Sequence, residues 1–237
     1  MISWRLESYE EASSTSDLCA ARAKAGEAEG LAILALKQTA GRGSRGRSWV
    51  APAGNLNLSV LLRPAGPAAQ AGLFSLLAGI AVAEALDRLF LPPIQLKWPN
   101  DVLLNGAKLA GILIDAAPLG PNLDWLVIGI GMNLRETPEI PDRTVTSLAA
   151  HGVELSPQDA ATAVLSSLSD WHDAAAETIR QCWLDRAHPM GTTLEIRSQQ
   201  GTRTGSFAGI SPAGELLLRR ENRIETISTG DVLLGRA

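Results

Sequence analysis

The 237-residue chain has only two cysteines, Cys19 and Cys182. They form no metal-like spacing and are too few for a disulfide framework, so the sequence expects free thiols in a reducing cytoplasm. Three scattered histidines, His151, His172 and His188, read as surface or satisfied side chains rather than ligands. Long apolar runs are also missing. The longest, residues 71–83, is broken by Ser75 and ends at Glu84; it is too short for a bilayer and reads as a core helix running toward Phe90. The N-terminus lacks the basic-then-apolar layout of a secretory signal. A net charge of −4 argues against general affinity for nucleic acid or anionic membranes. One further scarcity is local: residues 31–83 contain no Asp or Glu, although the chain is acidic.

Within that acid-free span lies Gln38-Thr39-Ala40-Gly41-Arg42-Gly43-Ser44-Arg45-Gly46-Arg47-Ser48-Trp49, directly after an apolar run at 31–36. Glycines let backbone N–H groups approach an anion, and guanidinium forks supply bidentate charge. The segment matches the dinucleotide fingerprint and nearly spells a P-loop, but both must open a helix. Here Pro52 and Gly54 follow, then the period-2 alternation Leu56, Leu58, Val60, Leu62 of a half-buried strand. The expectation is strand–loop–strand with an anion-binding loop; a solvated basic turn is the alternative.

Further on, Lys97-Trp98-Pro99-Asn100-Asp101 precedes two apolar runs joined by Asn105-Gly106, a strong hairpin signal. A two-residue turn sets Leu104 opposite Ala107, Leu103 opposite Lys108 and Asp101 opposite Ala110, with Lys108 and Asp101 on one face. An ammonium amid Ala107-Lys108-Leu109-Ala110-Gly111-Ile112-Leu113-Ile114 needs an anion, unless Lys108 merely guards a sheet edge. Trp98, preceding a proline, reads as extended. Gly129 and Gly131 interrupt a buried strand at 125–134, where they indicate either a bulge or a flat ligand against the backbone.

In this order the glycine-arginine loop, Lys97 to Asp101, the segment 108–113 and Gly129-Ile130-Gly131-Met132-Asn133 resemble the catalytic domain of biotin protein ligases, and Ser14-Thr15-Ser16 adds to the resemblance. It covers the chain from about residue 8 to the C-terminus. It implies an α+β fold, a mixed-sheet catalytic domain (1–189) followed by a small SH3-like β-barrel (190–237). It also implies a two-step reaction in which biotin and ATP, with Mg2+, give biotinyl-5'-AMP and pyrophosphate. Biotin then passes to one lysine of a biotin carboxyl carrier domain, typically that of an acetyl-CoA carboxylase. Carried over by motif, Ser14, Thr15, Ser16, Gln38, Gly41, Arg42, Gly43, Ser44, Lys108, Gly111, Gly129 and Gly131 are expected around biotin. Arg45, Arg47, Trp49, Asn100, Lys108 and Asn133 are expected around the adenylate. Arg42, Arg47 and Lys108 are the expected catalytic cations, with Asp101 orienting Lys108 or taking a proton from the acceptor amine. No protein cluster for a metal is expected. The chain departs from the family at Ser16, where Asn is usual, and at Ser44, where many members have Arg.

The catalytic pattern starts almost at Met1, which disfavours a DNA reader and the ligand-responsive transcription-factor class. Lipoyl or octanoyl transfer shares the fold but not this motif set. Whether two chains associate as a homodimer is left open. Along the chain, Thr15 or Ser16 is expected to cap an alanine-rich helix ending at Gly26. Residues 63–71 read as a connector, and Ser156-Pro157 as the start of a helix continuing past Trp171. Five short β segments follow a boundary near His188-Pro189-Met190-Gly191: 193–197, 202–210, 216–219, 224–227 and 231–234.

Overall fold

Alternating side chains build a seven-stranded mixed sheet that is apolar on both faces. The computed structural model describes residues 2–89, 91–138, 144–198, 201–221 and 223–234. The strands are β1 (Arg5–Ala12), β2 (Leu31–Gln38), β3 (Leu56–Leu62), β4 (Ile94–Lys97), β5 (Asp101–Leu104), β6 (Ala107–Leu119) and β7 (Asn122–Met132). Their order is β1-β2-β3-β7-β6-β5-β4. β1 runs parallel to β2, and every other neighbouring pair is antiparallel.

Successive residues point to opposite faces. Ala32 and Leu34 of β2 join the main core, beneath helices α2 (Ala71–Asp87), α3 (Pro157–Trp171) and α4 (Ala176–Asp185). Leu31 and Ile33 face the other way and pack with Cys19 and Ala23 of α1 (Thr15–Lys24), together with Leu61, Trp125 and Val127. Cover on both faces explains why all seven residues of β3 are buried, where alternation alone predicts a half-buried strand.

Residues 68–87 form a helical stretch long and apolar enough to cross a membrane by length and composition. Here they form the central core helix: eleven residues of α2 are buried, and each large aliphatic side chain so buried contributes about 1.5–3 kcal/mol. α2 ends at Asp87, short of Phe90, which lies outside the described residues.

Local expectations are met with instructive exceptions. α1 is capped by Ser14, whose Oγ accepts from Asp17 N at 3.3 Å, rather than by Thr15 or Ser16. Those two side chains turn instead into a buried polar cluster. Ser156 and Pro157 start α3 as predicted, but the helix stops at Trp171 and α4 begins afresh at Ala176. The Trp171 indole is tied to Glu84 Oε2 at 2.6 Å, and Ala174 N bonds back to the Trp171 carbonyl. β1 carries no strand signal because it is an exposed, acid-rich edge.

The C-terminal strands β8 (Thr193–Ser198), β9 (Gly201–Ile210), β10 (Leu216–Arg220), β11 (Arg223–Ile227) and β12 (Asp231–Leu234) make an antiparallel sheet ordered β11-β10-β9-β8-β12. Ile196 of β8 and Ile227 of β11 both lie near Gly230, so the sheet curls upon itself. Its apolar side, including Leu194, Phe207 and Val232, continues the main core, and Trp98 Nε1 donates to Gly214 O at 3.0 Å across the junction.

Candidate active site

A cleft opens on the α1 face of the main sheet, just beyond the N-terminus of that helix. Under α1 this face carries Leu61 and Val127; two and four residues further along β7 the side chains shrink to Gly129 and Gly131, opposite Ser59 and Asn57 of β3. The strands pair regularly at both glycines, which removes the bulge reading. Their purpose is space. A Cβ on Gly129 would lie 2.4 Å from Ser16 Oγ, and one on Gly131 2.2 Å from the Trp49 indole.

The sequence-predicted residues Thr15, Ser16, Gln38, Arg42, Gly43, Ser44, Arg47, Trp49, Asn100, Lys108, Gly111, Gly129 and Gly131 converge on this cavity of about 120 Å³. A second cavity of about 270 Å³ adjoins it, sharing Ser48, Trp49 and Lys108 and adding Asn133. Four predicted residues line neither. Ser14 caps α1, and Gly41 sits at the tight base of the loop, where a Cβ would meet Trp49 O at 2.4 Å. Arg45 reaches the C-terminal sheet, and Asp101 lies behind Lys108.

One wall of the first cavity is a polar chain. Gln38 Oε1 accepts from Thr15 N (2.8 Å) and Oγ1 (3.2 Å), while Gln38 Nε2 donates to Asn57 Oδ1 (3.1 Å). Ser59 Oγ bonds Thr15 Oγ1 (2.8 Å) and Ser16 Oγ (3.1 Å). Sequence reasoning missed Asn57 and Ser59, although they are the polar half of the β3 alternation; that half was assigned to solvent and instead faces the cleft.

The glycine-arginine loop forms a single 3-10 turn at Ser44–Gly46, with Arg45 at φ 60°, and no α-helix follows. Gly43 N donates to Arg47 O (2.7 Å) and Trp49 N to Gly41 O (2.9 Å), folding the loop on itself. Its cations meet carboxylates. Arg42 donates to Asp17 (2.6 Å) and forks onto Asp115 (2.9 and 3.1 Å), and the Asp115 hydrogen bond holds its guanidinium above the ordinary pKa against the opposing effect of burial. Arg45 and Arg47 both converge on Asp231 of β12, at 2.6 and 3.2 Å. Arg47 also donates to Ser44 Oγ at 3.1 Å.

Lys108 follows the predicted hairpin, with Leu104 opposite Ala107 and Leu103 opposite Lys108. The register then slips: Asp101 pairs with Gly111, not Ala110. A bulge absorbs Leu109, and the Lys108 backbone bonds a third segment instead, donating to Thr144 O and accepting from Thr146 N, both at 2.9 Å. Trp98-Pro99 is a cis peptide within a turn rather than extended chain. Asn100 closes that turn onto β6, donating from Nδ2 to Ile112 O at 2.6 Å.

The ammonium of Lys108 contacts Asp101 Oδ1 and stands 5.7 Å over the Trp49 ring; Asp101 Oδ2 is held by Lys97 at 2.9 Å. Burial pushes the Asp101 carboxyl up, but Lys108 and Lys97 together more than offset it and leave its pKa below the ordinary value. The carboxylate is therefore a fixed anchor for two cations. Asn133 donates from Nδ2 to Thr146 O (3.0 Å), while its buried Oδ1 and the buried Trp49 Nε1 have no hydrogen-bond partner among the described residues. Asn55, also unpredicted, accepts from Leu134 N, Arg135 N and Glu136 N at 3.0, 2.9 and 3.3 Å and shapes the turn beyond Asn133.

Residues 11–133 match the model of the Biotin/lipoate A/B protein ligase family, and residues 194–235 match that of the Biotin protein ligase C terminal domain. The chain is 36% identical over 218 residues to a biotin--[acetyl-CoA-carboxylase] ligase of Paracoccus denitrificans, covering 86% of this chain and 90% of that one. It is 34% identical over 232 residues to a biotin--[acetyl-CoA-carboxylase] ligase of Mycobacterium tuberculosis, covering 93% and 85% respectively. The biotin protein ligase of Aquifex aeolicus, solved in complex with biotin and ATP, superposes with a TM-score of 0.80 at 29% identity, over 98% of this chain and 99% of that one. By these matches across both sheets, the chain belongs to the biotin protein ligase family.

Proposed function

We infer that this chain is a biotin--[acetyl-CoA-carboxylase] ligase. It joins biotin to AMP with release of pyrophosphate, then passes biotin to a lysine of a carrier domain. The observation that carries this reading is the pair of adjoining cavities divided by Trp49 and Lys108. The first has glycine floors, hydroxyls and a carboxamide suited to a flat, polar ring system. The second offers Asn133 Oδ1, unpartnered among the described residues and an acceptor suited to an amino group of a base.

The first step brings a carboxylate oxygen to the α-phosphorus of ATP, and two anions repel unless cations lie between them. Lys108 stands at that junction. Arg42 and Arg47 border it and can exchange Asp17, Asp115 and Asp231 for ligand oxygens. In the second step an amine nitrogen attacks the acyl carbon and AMP departs, so the residues mainly align the groups and exclude water. Among the described residues no cluster of three metal-binding side chains occurs. A Mg2+ accompanying ATP would be held in part by phosphate oxygens, and no step here depends on it. Ser14 acts through the cap of α1, Gly41 through the base of the loop, and Asp101 as the anchor of Lys108. The division of the chain near Pro189 and a cytoplasmic setting consistent with two free thiols belong to the same proposal.

The test is pyrophosphate release with ATP and either biotin or lipoate, followed by mass spectrometry of a carrier domain. Biotin-dependent release and one biotinylated carrier lysine are expected. Release with lipoate alone would move the chain to the lipoyl class.

A further inference from the structure

Lys97 opens the Lys97-Trp98-Pro99-Asn100-Asp101 segment yet lines neither substrate cavity. Its side chain is only 19% exposed, and among the described residues its ion-pair partner is Asp101. Two ammoniums on one buried carboxylate is more than pairing requires. If Lys108 alone faced Asp101, the pair would be neutral, and the carboxylate would cancel most of the field that Lys108 projects toward a ligand anion. With Lys97 on the other oxygen, two positive charges and one negative leave the cluster at +1. Lys108 then meets substrate as a cation rather than as half of a neutral pair.

We propose that Lys97 is a positioning residue that neutralises Asp101 from behind, so that the charge of Lys108 stays available to the reacting anions. This inference rests on the ligase reading above. The geometry supports a division of labour: Lys108 takes Oδ1 on the cleft side, while Lys97 takes Oδ2 and also borders a small void of about 10 Å³ with His188, Trp98 and Trp183. Lys97 lies at the end of β4, Asp101 starts β5 and Lys108 lies on β6, so three adjacent strands fix the cluster. The charged or titratable groups that these contacts place around Asp101 and Lys97 are Lys108 and His188. Burial holds His188 below its ordinary pKa, and its buried Nε2 has no hydrogen-bond partner among the described residues, so it remains neutral and adds no charge at pH 7–8.

The proposal makes an unusual demand on a double-variant cycle. Lys97→Met lowers the cluster from +1 to 0, and Asp101→Asn raises it to +2; Lys97→Met with Asp101→Asn returns it to +1. Biotin-dependent ATP–pyrophosphate exchange should fall about tenfold or more in Lys97→Met, the scale of weakening one electrostatic donor. It should recover substantially in the double variant and in Lys97→Arg. A residue that only props the fold behaves differently: its variants shift thermal melting while exchange per folded enzyme stays near the parent. Non-recovery in the double variant, or parent-like exchange in a folded Lys97→Met, overturns the proposal. If Lys97→Met does not fold, Lys97→Gln in the same cycle decides the matter. Absence of biotin-dependent exchange in the parent would refute the ligase reading itself, whatever the variants do.

Discussion

Removing Lys108 separates catalysis from folding because of the way Asp101 is held. In Lys108→Gln the buried carboxylate keeps Lys97 at 2.9 Å, so no uncompensated charge is left inside. What is lost is one charged hydrogen bond, worth about 1.5–3 kcal/mol, against a total stability of about 5–15 kcal/mol for an ordinary domain. For a chain of this size that lowers Tm by roughly 5–10 °C and leaves the fold intact at 25 °C. The effect on reaction is larger. A unit charge about 4 Å from a developing anion, at an effective dielectric constant of about 20, is worth about 4 kcal/mol. Glutamine retains part of that as a dipole, so adenylate formation should fall about 10²-fold or more. The assay is biotin-dependent pyrophosphate release at saturating ATP, with the folded state checked by circular dichroism and thermal melting. Near-parent release by a folded Lys108→Gln would refute the assignment of Lys108 to the reacting oxygens.

Three further outcomes are expected. Ser44→Arg should slow dissociation of biotinyl-AMP about ten- to a hundredfold, since a guanidinium adds a charge-assisted contact that serine lacks; Arg45 can substitute only by leaving Asp231. An unchanged rate in Ser44→Arg with a large rise in Arg45→Ala would instead favour compensation. Asp231→Asn should raise amide exchange in the loop 41–48 by a few-fold, because two partly exposed pairs are weakened at once, and bound biotin should restore protection; parent-like exchange would show that the loop is held by its own backbone bonds. Cys19 is fully buried, its thiol pushed up by burial to about 12, so a thiol reagent at pH 8 should label Cys182 in the native protein and Cys19 only after unfolding.

Periodicity and turn chemistry determined much of this protein on their own. The strands around the cleft, the Asn105-Gly106 turn and the five C-terminal strands are local patterns, and the ordered motifs carried the family. Tertiary structure decided what local pattern leaves open. Asn57 and Ser59 look like the solvent side of an alternating strand until α1 covers that face, and whether a polar face meets water or a cleft depends on distant chain. β1 has too little apolar surface to announce itself and is a strand because β2 lies beside it. The one-residue slip at Leu109 leaves its carbonyl accepting from Asn133 N, a distant partner that no local pattern names. Arginines read as anion ligands in an acid-free stretch find Asp17, Asp115 and Asp231, all outside that stretch. Lys97 stood in plain view in its motif, but the surplus charge on Asp101 exists only once β4, β5 and β6 lie side by side. Charge is a property of residues, whereas net field at a site is a property of their arrangement.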